Sequence, residues 1–272
     1  MIEVTKDLVK QVTKEVTHLS LFNIEIHSLE ENGVTIISEQ FVAYCNTSCF
    51  SDQNVERLMT IAKNRTYPEG SHLFWEGDLS DKLFLLKSGR IKMTKSTDEG
   101  KELILYMFEA GDLVGHVDPF HNMKHSFTAE VMEEAEVGLI DQKDLELLIC
   151  QHCDFSIDFM KWMGIHHRLT QTKFRDLMMY GKPGALCSTL IRLSNTYGEQ
   201  LEDGGLLINK KVTHTDLSNM IGATRESVNR MLSDLRKQGI IEYEHGLIII
   251  RSLEHLQGVC HCELCPKEIC RI

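Results

Sequence analysis

The chain has 272 residues, with 29 Lys and Arg against 40 Asp and Glu, giving a net charge of −11 with the histidines neutral. Apolar residues at 42% and charged residues at 25% are ordinary for a globular protein, and 18 glycines with 4 prolines exclude collagen-like and low-complexity chains. No apolar run is long enough for a bilayer, and the first 20 residues, with Glu3, Asp7 and Glu15, do not have the pattern of a secretion signal. The sequence therefore predicts a cytoplasmic protein with no membrane partner, whose nine cysteines are free thiols or metal ligands rather than disulfides.

Residues 1–48 form an extension of unknown role. Within it Val4, Leu8, Val12, Val16 and Leu19 sit at helical spacing, and Val34 to Val42 has the composition of a strand. Residues 49–143 are read as one domain, in which from Asp78 to Ile140 short alternating apolar stretches are punctuated by glycine, as in Leu83-Phe84-Leu85-Leu86, Gly89-Arg90-Ile91-Lys92-Met93 and Glu136-Val137-Gly138-Leu139-Ile140. Short strands at regular spacing with glycine turns predict an all-β domain of the jelly-roll kind.

The period then changes. Phe155, Phe159, Met160, Trp162, Met163, His166, Leu169 and Phe174 fall at helical spacing, so 144–181 is predicted to be one long helix. A stripe that broad needs a partner, and the simplest is the same helix of a second copy, making a homodimer through 144–181. Gly181, Pro183 and Gly184 then interrupt the helix and provide a hinge.

Residues 182–251 carry nine basic and eight acidic side chains, so the rest of the chain carries −12 and only this segment escapes repulsion by phosphate. Inside it, Thr213 to Ile221 and Thr224 to Leu235 are two helical patterns joined by Gly222-Ala223. This is a helix-turn-helix pattern, with Thr224 as N-cap and Val228, Met231, Leu232 and Leu235 as the buried stripe of the second helix. Arg225, Glu226 and Arg230 lie off that stripe, near the end that enters the major groove in this motif. There arginine pairs bidentately with guanine and glutamate accepts from cytosine. Gly239 to Ile250 follows as two apolar strands around His245-Gly246, the hairpin of a winged helix.

The last segment, 252–272, holds Cys260, Cys262, Cys265 and Cys270 within eleven residues. Thiolates at C-x2-C and C-x4-C spacing turn a chain around one metal centre, and a cysteine followed by proline is common in iron–sulfur runs. Spacing by itself leaves structural zinc open as well, through four cysteines or three with His261. No glycine-rich phosphate loop, His-Glu-x-x-His or Gly-x-Ser-x-Gly is present, so no catalytic constellation is offered.

A β-roll, a long helix, a glycine hinge and a winged helix bearing Arg225-Glu226-x3-Arg230 resemble the superfamily of the cyclic-AMP receptor protein and the fumarate and nitrate reduction regulator, CRP/FNR, over about residues 50–251. The resemblance implies an α+β architecture: an N-terminal cupin-like β-roll sensor domain, a dimerisation helix and a C-terminal winged helix-turn-helix. It implies a dimer that binds double-stranded DNA at a two-fold TGTGA-type palindrome and works with RNA polymerase. Ser227 matches a family position that supports a base or phosphate contact. Members that bind cyclic AMP use a Gly-Glu pair and, about ten residues on, an Arg-Ser or Arg-Thr pair, for the ribose hydroxyl and cyclic phosphate. Here those positions read Gly115-His116 and His125-Ser126, so no cyclic nucleotide is expected, and His116, His121 and His125 are read as surface or turn residues.

Phe159-Met160-Lys161-Trp162-Met163, Arg175-Asp176-Leu177, Ser188 to Asn195 and Cys262-x2-Cys265-Pro266-x-Glu268-Ile269-Cys270 resemble the Gram-positive branch of the FNR regulators. That resemblance implies one [4Fe-4S] cluster per subunit, its iron held by Cys262, Cys265, Cys270 and Asp176, and hence an oxygen-responsive regulator. Cys260 departs from the branch spacing and leaves a Cys260-ligated cluster open. Cys45-x3-Cys49 has too few cysteines for the other FNR branch, whose cluster cysteines precede the β-roll. With Cys150, Cys153 and Cys187 these are read as mainly structural, Cys150-x2-Cys153 also having redox spacing.

Overall fold

The computed structural model describes residues 45–117 and 123–272, and the backbone of one small strand pair before them. In that pair β1 (Glu30–Glu31) runs antiparallel to β2 (Val34–Thr35), with Glu30 opposite Thr35. The helix read over Val4 to Leu19, the rest of the strand read over 34–42, and His121 lie outside the described residues.

The second unit, Tyr44–Ile272, begins with helix α1 (Asp52–Ile61). Ser51 caps it by accepting from the amide of Asn54, satisfying one of the donors that a helix start leaves open. Strands β3 (Lys63–Tyr67), β4 (His72–Phe74), β5 (Lys82–Leu86), β6 (Arg90–Ser96), β7 (Glu102–Phe108), β8 (Leu113–Val114), β9 (Thr128–Glu133) and β10 (Ala135–Asp141) follow. They form two antiparallel four-stranded sheets, ordered β3-β10-β5-β8 and β4-β9-β6-β7, which is the expected β-roll. Its core is the inward set Phe74, Phe84, Leu86, Ile91, Met93, Phe108, Val131 and Val137. Alternation shows clearly in β7, where Ile104, Tyr106 and Phe108 are buried and the residues between them are half-exposed.

The single helix expected over 144–181 is two helices, α2 (Gln142–Gln151) and α3 (Cys153–Tyr197). They part at His152, which is extended at φ −131° and ψ 100°. No glycine or proline marks that break, so hydrophobic spacing runs through it unchanged. Helix α3 continues past the expected end, broken only at Gly181, whose φ of 61° and ψ of −165° are open to glycine alone. Pro183 then stands in the first turn of the continuation, where its missing N–H costs nothing.

Beyond α3 come β11 (Gly198–Gln200), β12 (Leu206–Ile208), α4 (His214–Met220), α5 (Arg225–Lys237), β13 (Ile241–Glu244), β14 (Leu247–Ile250) and α6 (Leu253–Val259). The third sheet is ordered β11-β12-β14-β13, and the β13–β14 hairpin turns at His245 and Gly246, both at positive φ (51° and 84°). Positive φ at both central residues is what a two-residue turn of type I′ requires. This winged helix docks on the β-roll: Asn219 of α4 donates to Glu102 across 3.0 Å, and Tyr197 donates to Glu109 across 2.7 Å. A cavity of about 200 Å³ remains beside that junction, with Leu105, Met107, Lys173, Thr189, Met220 and Ile272 in its walls. Among the described residues no helix is long and apolar enough to cross a membrane.

Candidate DNA-reading helix and cysteine tail

Helix α4 starts with a reciprocal cap: the Thr213 hydroxyl accepts from the amide of Asp216, and the Asp216 carboxylate accepts from the amide of Thr213. Gly222 turns the chain at φ 60°, and the amide of Ala223 returns to the carbonyl of Ser218. Thr224 then caps α5 by accepting from the amide of Ser227. Val228, Leu232 and Leu235 bury the inner face of α5 against Leu217, Ile221 and Ile241. That packing fixes which face looks outward. Arg225, Glu226 and Arg230 are exposed on it and Ser227 is half-buried at its edge. None of the three charged side chains forms an ion pair with a described residue, so their hydrogen-bonding capacity is open to a partner.

The tail packs into the core of the same domain. Ser252 caps α6, whose Leu256 is buried in the winged-helix core. After Cys260 the chain doubles back, with His261 and Leu264 at positive φ (46° and 51°), a strained choice for non-glycine residues. A second turn follows, in which the amides of Ile269 and Cys270 both return to the carbonyl of Pro266. As a result Cys260 and Cys270 are buried, and half-buried Cys262 and Cys265 pack against the same apolar cluster as Cys187. Burial and the neighbouring Cys262 and Asp176 push the Cys260 thiol up to about 12. Cys270 is raised too, by burial and by Cys262 and Cys265, against the pull of Arg192.

Asp176 lies on α3, five residues before the Gly181 break, and is 2% exposed. One carboxylate oxygen accepts from Arg175 through Nε (3.1 Å) and Nη2 (2.6 Å); the other accepts from Ser188 and, at 3.0 Å, from Arg192 Nη2. Arg192 also donates to Thr172 and to the carbonyl of Ile269 (3.2 Å), and Arg175 pairs with Glu263 at 2.5 Å. Tyr180 stacks on His261 with ring centres 4.7 Å apart. The tail thus packs against the middle of α3, where Asp176 and Arg192 flank the Gly181 break.

These donors suit an iron–sulfur group in kind: thiols in a low-dielectric pocket, with a carboxylate that acts electrostatically on one of them. The ligating geometry itself is not formed. Among the described residues no group of three or more His, Cys, Asp or Glu side chains is arranged to hold a metal ion, and the lone pairs of Asp176 are taken by Arg175, Ser188 and Arg192. Cys45 and Cys49 lie elsewhere, Cys45 beside Thr47 and Cys49 at the carbonyl of Asp158, while Cys150 and Cys153 are exposed at the α2–α3 junction. In the β-roll Gly115 is buried and His116 exposed after β8. His125 is buried rather than at the surface, stacked on Phe74 with ring centres 3.6 Å apart.

The sequence reading missed the residues that hold the tail in place: Arg192, Asn195, Arg271 and Asp112. Arg192 carried one signal, an arginine within an apolar helix face, because such a charge needs a buried partner.

Comparison with known proteins agrees with this geometry. Residues 64–152 match the cyclic nucleotide-binding domain family and residues 184–259 the Crp-like helix-turn-helix domain family. The chain is 42% identical over 229 residues to the anaerobic regulatory protein of Bacillus subtilis, covering 84% of this chain and 96% of that one. It is 26% identical over 190 residues to a CRP-like cAMP-activated global transcriptional regulator of Mycobacterium tuberculosis, covering 70% and 84%. In fold it resembles the global regulator CLP of Xanthomonas campestris, with a TM-score of 0.62 at 20% identity over 74% of this chain and 100% of that one. It also resembles FixK2 of Bradyrhizobium japonicum, with a TM-score of 0.59 at 18% identity over 73% and 97%. The relatives are transcription regulators rather than enzymes, and with both domains matched in order this chain belongs to the CRP/FNR family of DNA-binding transcription regulators.

Proposed function

We propose that the protein is an oxygen-responsive transcription regulator, a homodimer that reads a TGTGA-type palindrome through Arg225, Glu226, Ser227 and Arg230 when its tail holds an intact [4Fe-4S] cluster. The observation that carries this reading is the placement of the cysteine tail against Asp176 and Arg192, next to the Gly181 break from which the winged helix departs. The similarity to an anaerobic regulatory protein supports it further.

Each residue has a physical task. On α5 the open side chains of Arg225 and Arg230 suit guanine edges and Glu226 suits a cytosine amine. On α3 an exposed apolar stripe that includes Ile157, Met160, Met163, Phe174 and Met178 suits a second copy of the helix, and two-fold pairing suits a palindrome. RNA polymerase is the partner of the bound dimer. In the tail Cys262, Cys265 and Cys270 would hold the cluster, with Asp176 as the fourth donor once it exchanges one of its hydrogen bonds. The bound cluster supplies an oxygen-labile group; a carboxylate is released from it more readily than a thiolate. What the chain does is bias a hinge. With the tail tied to Asp176 or released from it, the two orientations of the winged helix differ by a few kcal/mol, enough to shift a population. Neither His116 nor His125 provides the permanent charge that a cyclic phosphate requires, so no cyclic nucleotide has a role in this reading.

The test is an absorbance spectrum with iron and sulfide analysis on protein purified without oxygen, alongside its affinity for a TGTGA palindrome. The expected result is a broad visible band with about four irons per chain, as a cubane requires, bleached by air together with loss of DNA binding. A colourless zinc protein, or a DNA affinity indifferent to air, overturns the cluster reading and leaves the winged helix as it is.

A further inference from the structure

We propose that Arg271 and Asp112 are a positioning pair that passes the state of the cysteine tail to the β-roll and to α3. This rests on the reading of the tail as the regulated element and names the route by which it acts.

Residues 269–272 are gripped from both sides of the Gly181 break. Beyond the break, α3 holds their backbone: Arg192 donates to the carbonyl of Ile269 (3.2 Å), Asn195 donates to the carbonyl of Cys270 (2.8 Å), and the amide of Ile272 donates to Thr196 (3.4 Å). The side chain of Arg271 reaches across to the β-roll. Its Nη1 and Nη2 donate to the two oxygens of Asp112 at 2.9 and 2.6 Å, a fork on a carboxylate 159 positions away in sequence. Asp112 is fully buried and Arg271 is 6% exposed.

Asp112 is the centre of a network that reaches well beyond its own turn. Its carboxylate also accepts from the backbone amides of Asn46 (2.6 Å) and Glu109 (2.9 Å). The Asn46 side chain donates to the carbonyl of Leu113 (3.0 Å) and accepts from the amide of Leu113 (2.8 Å) and from Trp162 Nε1 (3.2 Å). Trp162 and His166, the latter 3.1 Å from Asn46, are on the part of α3 before the break. One buried network therefore joins the tail, the β7–β8 turn, the segment ahead of α1 and the dimer-side half of α3.

Cys270 is the residue immediately before Arg271. A paired, planar fork tolerates little displacement, because both of its hydrogen bonds are directional and short. Movement of the Cys270 sulfur on taking or losing a ligand is thus felt at Asp112, on the far side of the hinge. A buried ion pair is in general weak evidence for stability, since desolvation opposes its attraction, and its better attested use is to fix one arrangement among several.

The experiment compares wild type with Arg271→Gln and Asp112→Asn in the full-length protein; Arg271→Lys, which keeps the charge and loses the fork, serves if either fails to fold. In the first arm, iron content and DNA affinity are measured before and after air. The variants are expected to load iron as wild type does, while the ratio of the two affinities falls at least tenfold towards one. An unchanged ratio overturns the proposal. In the second arm, iron-free protein is titrated with cadmium as a thiolate probe, with Cys262→Ser/Cys265→Ser as the control for binding elsewhere. Hydrogen exchange at the amides of residues 109–114 is followed. Cadmium is expected to change that exchange in wild type and not in Arg271→Gln; no change in wild type overturns the proposal. A failure of the cluster reading shows as a colourless wild-type protein in the first arm, and the second arm, which needs no iron, still decides the coupling.

Discussion

Arg192 donates from Nη2 to Oδ2 of Asp176 across 3.0 Å, and the two side chains are only 4% and 2% exposed as residues. They lie sixteen positions apart on either side of Gly181, so this pair spans the break in α3. Asp176 is thus both the predicted fourth ligand and the counter-charge of a buried arginine, and one substitution tests two roles.

Asp176→Ala should destabilise the protein by about 3–5 kcal/mol, because it leaves Arg192 buried without compensation. The paired replacement Asp176→Leu/Arg192→Leu should recover most of that loss in urea unfolding, since both charges are then gone. Iron content separates the roles. Neither protein should carry the wild-type complement, whereas an Asp176 that is only structural predicts full iron in the stabilised double variant.

Acid should destabilise the fold through its histidines before its carboxylates titrate. The Asn46 oxygen accepts from Leu113 and Trp162, so the Asn46 nitrogen faces His166 and Nε2 of that ring is an acceptor. Burial holds His166 down at about 4, and burial beside His116 holds His125 at about 4 as well. The unfolded state binds these protons near pH 6.5 and the folded state does not. The histidine contribution to stability is therefore complete above about 6.5 and is lost as pH falls towards 4, at about 1.4 kcal/mol per unit for each ring. Urea midpoints at pH 7.5, 6 and 5 should show this decline, and His166→Gln should make it shallower.

The two glycines at the hinge differ in what they exclude. An alanine at Gly181 must adopt φ 61° with ψ −165°, costing about 1–3 kcal/mol. At Gly184 the backbone is ordinary, but a Cβ would stand 2.2 Å from Cβ of Tyr180, so the break itself must shift. Gly181→Ala should lower the melting temperature while Gly184→Ala should in addition change the angle between the halves of α3, measurable as a changed distance between spin labels at 167 and 237. Equal and purely thermal effects from both would count against a hinge at this point.

The parts that could be read in the sequence are those whose signal is local. Thr224 announces the start of α5, His245-Gly246 announces the wing, and the apolar run from Leu103 to Phe108 announces a strand at β7, although with every one of those residues apolar it does not say which face is buried. The α2–α3 break was not legible because Gln151-His152-Cys153 contains nothing that forbids a helix; Ser156, bonding to the carbonyls of both Ile149 and His152, appears as its cause only in three dimensions. The candidate site divides the same way. Cysteine spacing located the tail, but Asp112 and Arg271 are separated by 159 positions, and neither composition nor period records a pairing of that range.

The DNA-reading residues give the last prediction. Arg225 and Arg230 are exposed, unpaired with described residues, and held by a helix whose buried face is fully packed, so replacing either with alanine should leave stability within about 0.5 kcal/mol. Binding should respond quite differently. Loss of a bidentate guanine contact costs about 1–3 kcal/mol and relaxes preference at one base pair per half-site, whereas loss of a phosphate contact weakens every sequence alike and reduces the salt slope by about one. A base-substitution scan of the palindrome at two salt concentrations separates these. For Arg225→Ala the expected outcome is a flattened preference at a single position with the slope nearly unchanged. A uniform loss across all sequences would instead assign Arg225 to the backbone and leave Glu226 and Arg230 to read the half-site.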